Sequence, residues 1–281
     1  LYIKSVYLLK AIPIARGVGT EILTYWSGSE ALPGSVVRVP LRKRTVGALV
    51  VSCESAADSK SEIKSLDFEI KKISNPHAKA ILSPHFFKAA TVSATYYGST
   101  VGSALFEMVP QIILSEYESL PPAKAPVERR KTRETFALQK GDDDRFGHYK
   151  SLIRERFARK ESVFMVMPTV EDIKKACSYF EKGIEPYTYI FHSGLSKNDI
   201  IKRWKAAIED VHPVIIVATG TFLSLPRHDL GLIIVEHENS RSYKIQSRPF
   251  LDMRFVAEKL SIEIGADLLL GDSCLRVETL W

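Results

Sequence analysis

Residues 230–244, LGLIIVEHENSRSYK, place the strongest constraint on the fold. An apolar run from Leu232 to Val235 ends abruptly in Glu236-His237-Glu238. A continuous apolar run is how a strand buried on both faces reads, and such strands belong to parallel α/β sheets. Ligands of these sheets bind at the carboxyl ends of the strands. Nucleotide-driven motors place acids there, one holding magnesium and the next positioning the attacking water. In this chain the second place is a histidine.

The chain has 281 residues, which favours two domains. Its net charge of +6 and pI of about 9.1 fit phosphate-rich partners or, equally, plain solubility. Cys53, Cys177 and Cys274 lie far apart with no Cys-x-x-Cys pair, so neither a zinc ribbon nor a disulfide framework is expected. That usage fits a reducing cytoplasm. No apolar stretch reaches the roughly 18 residues of a membrane span, and no signal peptide is visible. The chain begins at Leu1 rather than Met, which reads as a fragment of a longer gene product.

The first third reads as β-rich, with candidate strands at 1–11, 22–26, 36–40 and 45–52. The last two flank the basic loop Leu41-Arg42-Lys43-Arg44 and predict a small barrel or curled sheet. Ser83-Pro84 opens a helix expected to reach Tyr97 and end at Gly98. Residues 113–145, rich in proline and charge, read as an extended linker. Helix and strand then alternate. A helix from His148 to Lys160 precedes a strand over 163–167, and Thr169-x-x-Asp172 opens a helix to about Lys182. A strand at 187–191, a helix opened by Ser196-x-x-Asp199, strands at 214–218 and 232–235, a helix from Pro249 and a last strand at 266–270 complete the pattern. The fold class is therefore α/β. A β-rich domain over 1–112 is followed by the linker and a parallel α/β domain of the P-loop, RecA-like kind over 146–281.

Several segments, in order, resemble the primosomal protein N′ family of replication-restart helicases. LPGSVVRVPLRKRTVGALVV is similar to the family's Pro-Gly, Arg-Val-x-Val-Pro, basic loop and hydrophobic strand. Leu23-Thr24-Tyr25 falls where the family carries Phe-Asp-Tyr, and ILSPHFFKAATVSATYYGSTVGSALFEMVP resembles its helix, Tyr-Tyr and Pro-ending segment. FHSGLS, VIIVATGTFLSLPRHDLGLIIVEHE, Ser242-Tyr243-Lys244 and Arg254 match successive stretches of its first motor domain. The resemblance implies that the N-terminal part holds the 3′ end of the leading strand at a stalled fork.

The same alignment locates the nucleotide motifs, and they depart from the family. A phosphate loop needs glycines, a lysine and a hydroxyl. The place of Gly-Ser-Gly-Lys-Thr is taken by Asp142-Asp143-Asp144-Arg145-Phe146. Two like charges about 4 Å apart repel by roughly 1 kcal/mol even at water's dielectric. Glu236 keeps a carboxylate that can reach a metal, but His237 replaces the water-orienting glutamate and Asn239 the coupling histidine. Gly271-Asp272-Ser273-Cys274-Leu275 stands for Gly-Ser-Ala-Thr-Pro. The expectation is a motor domain without ATPase activity, no catalytic residue, no metal, no zinc and no cofactor. ATP and magnesium enter only under an alternative, an active superfamily 2 helicase of which this is a fragment. His237 and Glu238 could pair as acid and base, but no partner nucleophile is evident. Asp142 to Asp144 read as a solvated acidic turn rather than an ion site.

Arg42, Lys43 and Arg44, with Arg38 and Gly34, are the candidate DNA contacts, since such cations fix phosphates without reading sequence. A solvated hairpin tip is the other reading. Tyr25 stacks on a terminal base or is a core tyrosine. Thr24 replaces the aspartate that the resemblance assigns to the terminal 3′-hydroxyl, and Glu21 is a possible substitute. Arg129-Arg130-Lys131 and Arg133 trail along duplex phosphates or are a solvated linker. Expected partners are forked or 3′-ended DNA and replication or primosome proteins, with no membrane. A protein-interaction scaffold without a DNA role is the remaining alternative.

Overall fold

β-branched runs broken by turn residues build the first half. β1 (Tyr7–Pro13), β2 (Leu23–Ser27), β3 (Val36–Leu41), β4 (Arg44–Ser55) and β5 (Lys71–Ile73) form one sheet in the order β3-β4-β1-β2-β5. This computed structural model describes residues 6–56, 70–73, 77–125, 133–180 and 184–281. β1 shifts register against β4 between Lys10 and Ala11, a bulge that bends the strand. The sheet curls until its two edge strands, β3 and β5, lie side by side. Leu9, Tyr25, Val37, Val39, Val50 and Ile73 fill the inside of the curl.

Three helices follow. Ser83 Oγ accepts from the Phe86 amide at 3.1 Å and Pro84 takes the first helical position, so α1 (Pro84–Tyr96) starts at the predicted residue. α2 (Val101–Met108) lies flush on the end of β1. A Cβ at Gly102 would stand 2.1 Å from the Pro13 carbonyl oxygen, so only glycine fits. α3 (Gln111–Ser115) completes the set.

The second sheet contains β6 (Thr135–Gln139), β7 (Ser162–Met167), β8 (Thr188–Phe191), β9 (Ile215–Thr219), β10 (Leu230–Glu236) and β11 (Asp267–Asp272). Its order is β6-β11-β10-β7-β9-β8, parallel throughout. The helices are α4 (Asp142–Ala158), α5 (Val170–Phe180), α6 (Lys197–Glu209), α7 (Met253–Ile264) and α8 (Val277–Leu280). Every residue of β7 and β10 is buried, as the apolar runs require. Thr169 and Ser196 accept the Asp172 and Asp199 amides at 3.2 and 3.1 Å, which caps α5 and α6 as read from the sequence. No helix among the described residues is long and apolar enough to cross a membrane.

The segment expected as an extended linker is structured where it is described. It holds the end of α3, a turn over Tyr117–Ser119 with Tyr117 and Leu120 buried, and strand β6. β6 is an edge strand with mostly exposed side chains, so it lacks the apolar pattern that reveals a central one. α4 begins at Asp142 rather than His148. Carboxylates in a first turn favour the helix N-terminus electrostatically, so Asp142, Asp143 and Asp144 start a helix instead of forming a solvated turn. The cluster Arg129-Arg130-Lys131 lies outside the described residues. The helices α1 to α3 pack against both sheets, and one apolar core runs from Val36 and Leu49 through Phe86 and Leu105 to Trp204 and Val256. Replacing Gly102 by alanine is expected to lower stability by about 1–3 kcal/mol in urea unfolding, because the neighbouring atom is backbone.

Candidate nucleic-acid interface and the closed sheet edge

The carboxyl edge of the second sheet is closed by ionic contacts. β6 passes into α4 through Lys140 and Gly141 alone, so no run of loop amides lies between strand and helix. From the first turn of α4, Arg145 reaches the end of β10. Its Nε donates to both Glu236 carboxylate oxygens at 3.1 and 3.0 Å, and Nη2 donates to Oε1 at 2.6 Å. Nη2 also reaches Asp142 Oδ1 at 2.8 Å, and Nη1 donates to the Lys140 carbonyl at 2.5 Å. Tyr149, one helical turn on, donates to Glu236 Oε2 at 2.6 Å. Arg145 and Glu236 are both fully buried. Burial pulls the Arg145 guanidinium down, but the hydrogen bonds and charge of Glu236 outweigh it and the net shift is upward. Burial, then the Glu236 charge, pushes the Tyr149 phenol up. A Cβ at Gly271 would lie 1.8 Å from the Tyr149 hydroxyl, so this glycine makes room for the tyrosine.

The expectation that Glu236 can reach a metal is corrected by this geometry, since both its oxygens are engaged and neither is exposed. His237 and Glu238 do not form an acid–base pair either. At φ 50°, His237 turns its Nδ1 to Asp172 Oδ1 at 3.1 Å. Glu238 is buried and accepts from the Arg276 amide and side chain and from Thr279 Oγ1 at 2.8 Å. Asp142 binds Lys175, and that hydrogen bond, then Arg145, holds its carboxyl below the usual range against the opposing pull of burial. Asp143 accepts from Tyr179 at 2.7 Å, while Asp144 is exposed. Phe146 stacks on Tyr179, ring centres 4.3 Å apart. Among the described residues no cluster of His, Cys, Asp or Glu is placed to hold a metal. Tyr149 was missed in the sequence, although its spacing of four from Arg145 puts both on one helix face; Lys175, on another helix, carries no such signal.

The first sheet turns its charges outward. β3 and β4 are joined by the two-residue turn Arg42-Lys43, with Arg42 at φ 54°, and Leu41 pairs with Arg44. Arg42, Lys43 and Arg44 are exposed. Arg38, also exposed, donates to the Ser115 carbonyl at the end of α3. Arg38 and Arg44 line a groove of about 310 Å³ together with Thr45, Phe106 and Gln111. The hairpin tip and Arg38 thus meet on one side of the sheet. Gly34, at φ 83°, is in the exposed turn before β3.

Tyr25 is not part of that face. It is 2% exposed, pairs with Leu9 and points into the curl, so the core alternative holds. Burial pushes its phenol up to about 12. Thr24, on the other face of β2, is half-buried opposite Lys10. Glu21 is spent elsewhere, accepting the Val101 amide at 2.7 Å in the first turn of α2.

Two measurements check these assignments. Arg145→Met strands a buried carboxylate and should cost about 3–5 kcal/mol in urea unfolding, and Arg145→Met with Glu236→Leu should recover most of it. Tyr25→Phe removes a buried hydroxyl that has no partner among the described residues and should leave stability unchanged within about 1 kcal/mol. The wild-type phenol ionises less readily folded than unfolded. Its contribution is therefore complete below pH about 10 and fades as pH rises toward about 12, a step that Tyr25→Phe removes from the alkaline unfolding curve.

The chain is similar to known proteins over most of its length. Residues 12–110 match the family description of the PriA 3′DNA-binding domain (3′BD). The replication restart protein PriA of Helicobacter pylori strain J99 is 26% identical over 265 residues, 90% of this chain and 41% of that protein. PriA of Buchnera aphidicola is 26% identical over 47% of this chain and 18% of its own length, and PriA of Synechocystis 25% identical over 47% and 16%. The chain thus spans about two fifths of the Helicobacter relative it matches, 41% of its length. A solved chain titled XPD_Helicase aligns over 85% of this chain and 44% of its own at 13% identity and a TM-score of 0.32. With its barrel, its basic hairpin and a parallel sheet behind them, the chain is similar to PriA replication restart proteins over most of its length, and its residues 12–110 match the PriA 3′DNA-binding domain.

Proposed function

We propose that this chain binds branched or 3′-ended DNA during replication or replication restart in the cytoplasm, and that its α/β domain is a scaffold without ATPase activity. The observation that carries the DNA reading is the solvent-facing row Arg42, Lys43 and Arg44 on a 3′DNA-binding domain, joined by Arg38 at the groove. Such contacts are electrostatic, independent of sequence and sensitive to salt. Thr24 in place of an aspartate can still hydrogen-bond a terminal hydroxyl, but more weakly than a carboxylate would, so selectivity for a free 3′ end is expected to be modest.

The loss of ATPase activity is supported by three features of the sheet edge. The strand-to-helix connection is too short to wrap phosphates. Arg145 and Tyr149 take the Glu236 oxygens that a magnesium ion would need. Asp142 to Asp144 stand at the helix N-terminus, where a phosphate would meet their charge. Magnesium–ATP does not fit this set of residues. The scaffold is expected to serve replication or primosome proteins.

Fluorescence anisotropy with forked DNA at two salt concentrations tests the first half. Arg42→Glu with Arg44→Glu should weaken binding at least tenfold and reduce the salt dependence by about two units of slope; unchanged affinity would clear the hairpin of the role. Isothermal titration with ATP and magnesium tests the second. No heat of binding is expected, and micromolar affinity would overturn the scaffold reading.

A further inference from the structure

Helix α6 presents a second basic face that the proposed DNA contacts do not use. Its inner side, Ile200, Trp204, Ala207 and Ile208, is buried in the core. On the outer side, Lys197, Lys202 and Lys205 line a groove of about 420 Å³ with Ile201, and Ile112 of α3 and Glu116 just after that helix line it too. No ion pair or hydrogen bond links any of the three lysines to a described residue. Glu116 is the only carboxylate among the residues lining this groove, and three ammonium groups outnumber it.

The position of α3 relates the two grooves. Gln111, Leu114 and Ser115 of that helix line the groove of Arg38 and Arg44, while Ile112 and Glu116 line the groove of the lysines. The grooves therefore flank one short helix. A helix is about 10–12 Å across, close to three base pairs at 3.4 Å each. The apolar floor of Ile112 and Ile201 suits lysine stems, whose charged ends then stay in water. Mobile ammonium groups of this kind hold phosphates in any sequence.

We infer that the phosphate-binding face continues from the β3–β4 hairpin, past Arg38 and over α3, onto Lys197, Lys202 and Lys205 of α6, where it holds the backbone of a DNA arm. The inference deepens the DNA reading above and rests on it. It makes the α/β domain an arm-holding surface, fixed to the barrel by the helices the two sheets share.

The test is anisotropy with labelled forks whose duplex arms are about 6 or about 20 base pairs long, using Lys202→Glu with Lys205→Glu and the softer Lys202→Gln with Lys205→Gln. The charge-reversed variant should bind the long-armed fork about tenfold more weakly, with a salt slope lower by about two, and the glutamine variant should lose less. The short-armed fork should bind both variants as it binds wild type. Arg42→Glu with Arg44→Glu should weaken both forks. If the lysine variants bind the long arm like wild type while the hairpin variant fails, the extension onto α6 is wrong and the hairpin reading stands. If the hairpin variant also binds like wild type, the hairpin loses its role together with the extension; if wild type itself binds neither fork at low salt, the DNA reading falls. Equal loss on short and long arms would likewise overturn the extension, since a general change of field rather than arm contact would explain it.

Discussion

The pair formed by Arg145 and Glu236 organises the carboxyl edge of the second sheet. A carboxylate at the end of a central strand has no water to solvate it, so it must find a cation or give up its charge. Arg145 supplies donors in a planar fork, and each of its three nitrogens has an acceptor: Glu236, Asp142 or the Lys140 carbonyl. Tyr149 completes the shell, and Gly271 gives it space. Asp142 then carries the network outward to Lys175 of α5. The direct step from β6 into α4 follows the same logic, since a longer loop would move Arg145 away from the strand ends. The strand end at Glu236 is, in this chain, part of the interior.

The second organising feature is the helical layer between the sheets. α1 to α3 follow the barrel in sequence but bury against the α/β domain as well. Gly102 lets α2 touch the end of β1, and Phe255 of α7 stacks on Tyr96 of α1 with ring centres 4.3 Å apart. The cations of the hairpin and those of α6 are therefore held on one framework rather than on two bodies joined by a tether.

Net charge alone does not separate the cations that meet solvent from those that hold the fold. Arg227 is buried and donates to Asp229 and to the carbonyls of Ala207, Asp210 and His212. Arg254 is bound to Asp252 and the Glu238 carbonyl. These guanidinium groups are spent on the interior. Arg42, Lys43, Arg44, Lys197 and Lys202 remain exposed, and only such groups can exchange their counterions for phosphates.

Much of this was legible in the chain itself. The apolar run 232–235, the caps at Ser83, Thr169 and Ser196 and the β-branched strands determine element type, because burial period and capping chemistry are local properties. The basic hairpin was legible too, as two β-branched runs joined by a short polar turn. β6 was not, since an exposed edge strand carries no apolar period and is defined by its partner β11. Nor were the fates of Tyr25, Glu21 and Arg145. An alternating strand does not say which face becomes the interior until the sheet has curled, and a charge does not reveal its counter-charge 91 positions away. Residue types and local periods determined what this chain could be. The closing of the sheet edge around Glu236 and the sorting of its cations into buried and exposed were decided by tertiary structure, because both depend on contacts between segments distant in sequence.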